Sequence, residues 1–190
     1  ANPSGRTSPT RANHVEHDYA GRVPVLDGGE TRIGLESTVL DCTETPFRIL
    51  RPGALDVHSL SRTCGVQVHD VADHVSARRS PGTRHTHYKP AAAVLWAELD
   101  STGELHPISS SATRNALLLL HRAAEPFWFR GRVIHYGGDY THFASQLYDL
   151  FRWADTLGLP KIYIEPFTSV SPVHPLIPAL LNRIEKAAGQ

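Results

Sequence analysis

From residue 92 onward, short apolar runs of strand type alternate with amphipathic segments of helical period. No other feature restricts the fold as much. Strands separated by helices must pair in parallel, with the helices covering the faces of the sheet. Residues 92–99 read as a buried strand, 112–124 as a helix and 132–136 as a second strand. A long helix follows, with Thr141 as its cap and Phe143, Leu147, Leu150, Phe151, Ala154 and Leu157 on one face, ended by Gly158 and Pro160. Residues 162–164 make a third strand and 176–188 a last amphipathic helix.

The first 75 residues are organised differently. Residues 1–10 are dense with turn formers. Ser8-Pro9 reads as a helix start, since serine can cap the first amides and proline suits the first helical position. That helix runs through Ala12, Val15 and Glu16 to about Asp18. Residues 22–26 suggest a short strand closed by Asp27-Gly28-Gly29. Two more strands, 35–40 and 47–50, flank a turn at Thr43-Glu44-Thr45, and Arg51-Pro52-Gly53 ends the second. Asp56 caps a short helix that stops at Gly65. Residues 76–91 are basic, bounded by prolines and without core periodicity, which is the composition of a linker.

Composition narrows the classes. Of 190 residues 41% are apolar, enough for a packed core and against global disorder. Lys+Arg 19 balance Asp+Glu 19, so the whole chain has no strong pull toward nucleic acid or anionic membrane. No apolar run is long enough to span a bilayer. Cys42 and Cys64 do not form a disulfide framework and read as reduced thiols of a cytosolic protein. The absence of any methionine suggests a processed, excised or incomplete chain.

Several residues could carry chemistry. Ser4-Gly5 and Ser8 lead into a helix start, where free amides and the helix dipole favour an anion, although such a start is most often only a cap. Glu36-Ser37-Thr38 is a polar triplet within a strand. It is either a wet face or a device that aims one hydroxyl into a cleft. Arg51, at the end of the paired strand, could cover phosphate oxygens with its planar fork; on its own it reads as a surface arginine in an ion pair. His85 and His87 share one face of an extended segment, but two nitrogens do not make a zinc site and no third Cys or His lies near. With Tyr88 they suit a cover over something anionic. No Walker, dinucleotide, nucleophile-elbow or zinc-protease motif is present.

Together these segments resemble one family. Ala1-Asn2-Pro3-Ser4-Gly5 with Ser8-Pro9-Thr10 is similar to its Ala-Asn-x-Ser-Gly-x-x-Ser-Pro-Thr block. Asp27-Gly28-Gly29, Gly34-Leu35-Glu36-Ser37-Thr38-Val39 and Ile49-Leu50-Arg51-Pro52-Gly53 follow in order. Ser80-Pro81-Gly82 with His87-Tyr88-Lys89-Pro90 resembles its interdomain linker, and Asn182-Arg183-Ile184-Glu185-Lys186-Ala187-Ala188 its closing helix. The family is the Sua5/YrdC threonylcarbamoyl-AMP synthases, in the two-domain Sua5 form. The chain departs from the pattern at Thr83 and His85 in the linker, and at His174 to Pro178 before the last helix.

The resemblance implies an α/β fold: the C-terminal part of a YrdC-like α/β domain over 1–75, a linker over 76–91, and a Rossmann-like parallel-sheet Sua5 domain over 92–190. It implies that the chain begins inside the catalytic domain and alone has little activity. It further implies condensation of L-threonine, bicarbonate and ATP, with Mg2+, into threonylcarbamoyl-AMP and pyrophosphate in the cytoplasm. A partner transferase would then modify tRNA. Ser8, Arg51 and Tyr88 match ATP-contacting positions and Ser37 a threonine-contacting one. Asn2, Ser4 and His87 belong to the substrate loop or lid. No covalent catalytic nucleophile and no protein-held metal is implied. The alternatives are an RNA- or tRNA-binding module without catalysis, which zero net charge disfavours, and a related carbamoyltransferase domain.

Overall fold

A computed structural model describes residues 3, 6–70, 89–168 and 174–189. The chain first turns through α1 (Ala12–Asp18), whose N-cap is Arg11. Ser8-Pro9 is therefore not the helix start. Ser8 has instead turned its hydroxyl toward a carboxylate, described below. Residues 22–26 are irregular and mostly exposed rather than a strand. The strand expected over 35–40 narrows to β1 (Val39–Asp41), antiparallel to β2 (Phe47–Arg51). The shortening has a physical cause: residues 36–38 spend their polar groups on other parts of the molecule.

α2 (Val57–Cys64) starts and stops as its sequence requires. Asp56 accepts the Ser59 amide at 2.6 Å, and Gly65 closes the helix at φ 68°. It returns the chain to β3 (Val68–His69), parallel to β2, over a small core of Ile49, Leu60 and Val68.

The second half contains β4 (Ala93–Trp96), α3 (Ser110–Thr113), β5 (Ala116–Leu120), β6 (Arg132–His135), α4 (Tyr140–Thr156), β7 (Lys161–Ile164) and α5 (Ile177–Ala188). The four strands form one parallel sheet in the order β4-β7-β5-β6. Residues 112–124 are thus not a helix. Leu117 to Leu120 are wholly buried in strand β5. Leu117 and Leu119 face one core, with α4 and α5; Ala116, Leu118 and Leu120 face the other, with Phe129 and Tyr163. A central parallel strand is buried on both faces and reads as a continuous apolar run. Leucine's helical propensity loses to that packing.

α4 is capped by Asp139, whose carboxylate accepts the His142 amide at 2.9 Å, and not by Thr141. Of its expected apolar face, all but Leu157 are buried; Leu157 lies past the helix end. Among the described residues no helix is long and apolar enough to cross a membrane.

The two halves touch through backbone as well as side chains. Gly34, at φ 72°, lies so close to α4 that a Cβ there would meet the Ser145 carbonyl oxygen at 2.5 Å and the Ser145 Cα at 2.6 Å. Leu35 and Ala54 pack against the α4–α5 core. Gly34→Ala combines a left-handed conformation with a collision against backbone that cannot swing away. It should lower stability by about 2–4 kcal/mol in urea unfolding, with new proteolytic cleavage at Arg32. An unchanged midpoint would contradict the close approach.

Candidate functional site

Glu36 sits where the halves meet. Its carboxylate accepts hydrogen bonds from the Ser8 hydroxyl, from the Tyr148 hydroxyl of α4 at 3.0 Å and from the Arg183 Nε of α5 at 2.9 Å. The Arg183 side chain is wholly buried and Glu36 nearly so. Burial alone would raise the Glu36 pKa. The Arg183 charge, the Ser8 hydroxyl and the Arg183 hydrogen bond together outweigh it and hold the carboxyl below its ordinary 4.5.

Arg183 also reaches the other strand of the first half. Its Nη1 donates to the Pro52 carbonyl at 2.6 Å. Next to it, Arg51 donates from Nε and Nη2 to the Ser37 carbonyl at 3.2 and 3.0 Å. Two guanidinium groups therefore sew the same two segments: Arg183 joins residue 36 to residue 52, and Arg51 joins 51 to 37. Thr38 Oγ1 donates to the Leu55 carbonyl at 3.0 Å and accepts its amide at 3.2 Å. Gly53 allows the crossing, since a Cβ there would fall 2.3 Å from the Thr38 nitrogen. One turn along α5 from Arg183, the half-buried Lys186 lies within the field of Arg183, Arg51 and Glu36.

A second seam ties α1 to α4. Arg152 grips Asp18 with two bonds, 3.0 and 2.8 Å, and donates to the Thr7 carbonyl; Arg6 adds a 3.2 Å contact to Asp18. Asp149 receives His14 Nε2 at 3.0 Å and Arg11 at 2.9 Å. The Thr10 amide donates to His14 Nδ1 at 3.1 Å, which leaves the ring proton on Nε2, facing Asp149. The Arg152 hydrogen bonds, against opposing burial, hold Asp18 below its ordinary value, and the His14 hydrogen bond does the same for Asp149. Beside this seam opens a cavity of about 930 Å³ lined by Arg6, His17, Arg152, Trp153 and Lys89.

Of the residues singled out from sequence, the structure brings Ser37 and Arg51 into contact and links Ser8 to them through Glu36. Asn2, Ser4, His85, His87 and Tyr88 lie outside the described residues. Glu36 is not on a wet face; it is the hub of the seam. Arg183, Lys186, Tyr148 and Arg152 went unassigned. Arg183 had left a signal, because it occupies the i+3 position of the buried stripe Leu180–Ile184–Ala187, where a cation needs a buried partner. Among the described residues no group of three His, Cys, Asp or Glu side chains could hold a metal.

This arrangement defines a class: a mixed segment of two helices and a small three-stranded sheet, presenting Ser37 and Arg51, clamped by ion pairs to a parallel-sheet α/β domain. The family profile described as threonylcarbamoyl-AMP synthase, C-terminal domain, matches residues 55–189, and one described as telomere recombination matches 1–53. The chain belongs to the threonylcarbamoyl-AMP synthase family. It is 32% identical over 206 residues to the threonylcarbamoyl-AMP synthase of Bacillus subtilis, covering all of this chain and 56% of that protein. To that of Schizosaccharomyces pombe it is 31% identical over 214 residues, covering 99% and 50%. To that of Pyrococcus abyssi it is 43% identical over 102 residues, covering 52% and 30%. The crystal structure of P. abyssi Sua5 complexed with L-threonine superposes with a TM-score of 0.73 at 29% identity, covering 99% of this chain and 56% of that one. The chain thus spans roughly half, or less, of the length of these relatives.

The seam carries a pH signature. Glu36, Asp18 and Asp149 have folded pKa values below their unfolded ones, so each adds stability that is complete above the unfolded value, near 4.5 for Glu36 and 3.8 for the two aspartates. That stability is lost as pH falls through the folded values. Urea midpoints should fall steeply below about pH 4.5, and Glu36→Gln should flatten the decline. Arg183→Met, which strands the Glu36 carboxylate, should cost about 3–5 kcal/mol at pH 7. Equal stability of Arg183→Met and wild type would remove the seam from the account.

Proposed function

We propose that these residues form part of an enzyme that makes threonylcarbamoyl-AMP from L-threonine, bicarbonate and ATP. The Ser37–Arg51 pair, fixed by the Glu36–Arg183 seam in a chain of this family, is the observation that carries the reading. The L-threonine bound to the P. abyssi structure supports the substrate class. In this reading residues 1–75 belong to the catalytic domain, 76–91 to the linker and 92–190 to the second domain.

The chemistry is a condensation. The threonine amine adds to bicarbonate and loses water to give a carbamate. A carbamate oxygen attacks the α-phosphorus, the bond to the β-phosphate bridging oxygen breaks, and pyrophosphate leaves. The protein's part is to position reactants and neutralise phosphate charge. Ser37 holds threonine; Arg51, Ser8 and Tyr88 hold ATP; Asn2, Ser4 and His87 shape the loop and lid. Ser8 donates its proton to Glu36 here, so it would exchange that bond to donate to a phosphate oxygen. Magnesium enters as part of the Mg2+–ATP substrate; Glu36 is already occupied by Ser8, Tyr148 and Arg183. The exposed free thiols Cys42 and Cys64 suit a reducing cytoplasm. The product would pass to a transferase that modifies tRNA.

The test is threonine- and bicarbonate-dependent pyrophosphate release from ATP by the gene product carrying this sequence. Ser37→Ala should raise KM for threonine about 10-fold, and Arg51→Ala should raise KM for ATP about 10- to 100-fold, the range for losing a hydrogen bond to a charged group. No threonine dependence in the unaltered protein would overturn the reading.

A further inference from the structure

The strands that lead to Ser37 and Arg51 stop pairing short of Ser37. Pairing of β1 with β2 begins at Val39, opposite Arg51, and its register shifts between Val39 and Leu40. Ser37 therefore lies beyond the regular ladder, and other groups must set the spacing between residues 36–38 and 51–53. Arg183 bridges the two segments from the second half. Its Nε donates to the Glu36 carboxylate at 2.9 Å, its Nη2 to the Glu36 carbonyl at 3.4 Å and its Nη1 to the Pro52 carbonyl at 2.6 Å. Glu36 directly precedes Ser37, and Pro52 directly follows Arg51. A guanidinium is planar, so its nitrogens keep fixed mutual distances. The side chain is wholly buried, so these bonds act in a low-dielectric interior.

We propose that Arg183 is a positioning residue for the reaction: from the second half it sets the spacing between Ser37 and Arg51, and so the approach of threonine to ATP. The inference rests on the reading of Ser37 as the threonine contact and Arg51 as the nucleotide contact. Docking by charge needs only the Glu36 carboxylate. The further bonds to two backbone carbonyls, one on each segment, tie the spacing of both segments to one rigid group. Joining two bound reactants is sensitive to such spacing, since a misplacement of about 1 Å costs roughly 100-fold in rate.

Arg183→Lys separates position from charge. One ammonium nitrogen can keep the ion pair with Glu36 but cannot reproduce a fork that also spans to Pro52. In the gene product carrying this sequence, Arg183→Lys should unfold in urea closer to wild type than Arg183→Met does, yet lose kcat about 10- to 100-fold. Leu119→Ala, in the buried core of β5, should lower the urea midpoint and leave kcat unchanged. In a Ser37→Ala or Arg51→Ala background, Arg183→Lys should lower kcat/KM much less than it does alone, because the group it positions is gone. Hydrogen exchange supplies a readout without turnover: Arg183→Lys should speed exchange of the amides of residues 36–38 and 53–55 together and leave those of α2 unchanged. Wild-type kcat in Arg183→Lys would overturn the inference. So would kcat losses that follow stability across the three variants, losses that multiply independently with Ser37→Ala and Arg51→Ala, or unchanged exchange at the two segments. Absence of threonine-dependent turnover in the unaltered protein would instead strike the functional reading, and the exchange result would still decide whether Arg183 sets the spacing.

Discussion

The Glu36–Arg183 ion pair decides how the two halves sit. Removing both charges from water costs several kcal/mol per ion, so the pair is weak evidence for stability as such. Its value is positional. The carboxylate is satisfied only when Ser8, α4 and α5 are all in place, because each supplies one donor. Any slip of the first half along the second would leave a buried charge without part of its shell. Arg152–Asp18 repeats the device some distance away, with two bonds in a fork. Two such points fix both the place and the rotation of the first half on the second.

The parallel sheet fills one of its own anion cradles. In open α/β sheets ligands favour the crevice beyond the carboxyl ends of the strands. Here Glu165, directly after β7, accepts the successive amides of His121, Arg122 and Ala123 at 2.7 to 3.1 Å. His121 itself is buried, stacked 4.7 Å from Phe167 and bonded to the Pro166 carbonyl. The chain's own carboxylate occupies the amides after β5 that could otherwise cradle an anion. Among the described residues, the side chains that this half contributes to the two ionic seams (Asp149, Arg152 and Arg183) come from its outer helices α4 and α5.

What was legible in sequence was local. Asp56 and Gly65 bracket α2 because capping needs only neighbouring residues. The amphipathic stripes of α4 and α5 repeat every three or four residues and were read almost to their ends. The misreadings came where distant packing decides. Leu117 to Leu120 become a strand because two cores, built by residues far along the chain, cover both faces. Ser8 does not cap α1 because Glu36, 28 residues later, takes its hydroxyl. Ser37 and Arg51 could be singled out, since each sits in a short motif. Arg183 left only a local mark, a cation within an apolar helix stripe, and its partner was not legible because it is a carboxylate 147 residues earlier.

The same distance in sequence makes the last helix a spacer for the first half. Arg183 of α5 holds Glu36 through Nε and the Pro52 carbonyl through Nη1. The two segments that carry Ser37 and Arg51 therefore keep their spacing through a side chain that neither segment contains, and loss of Arg183 would loosen both at once.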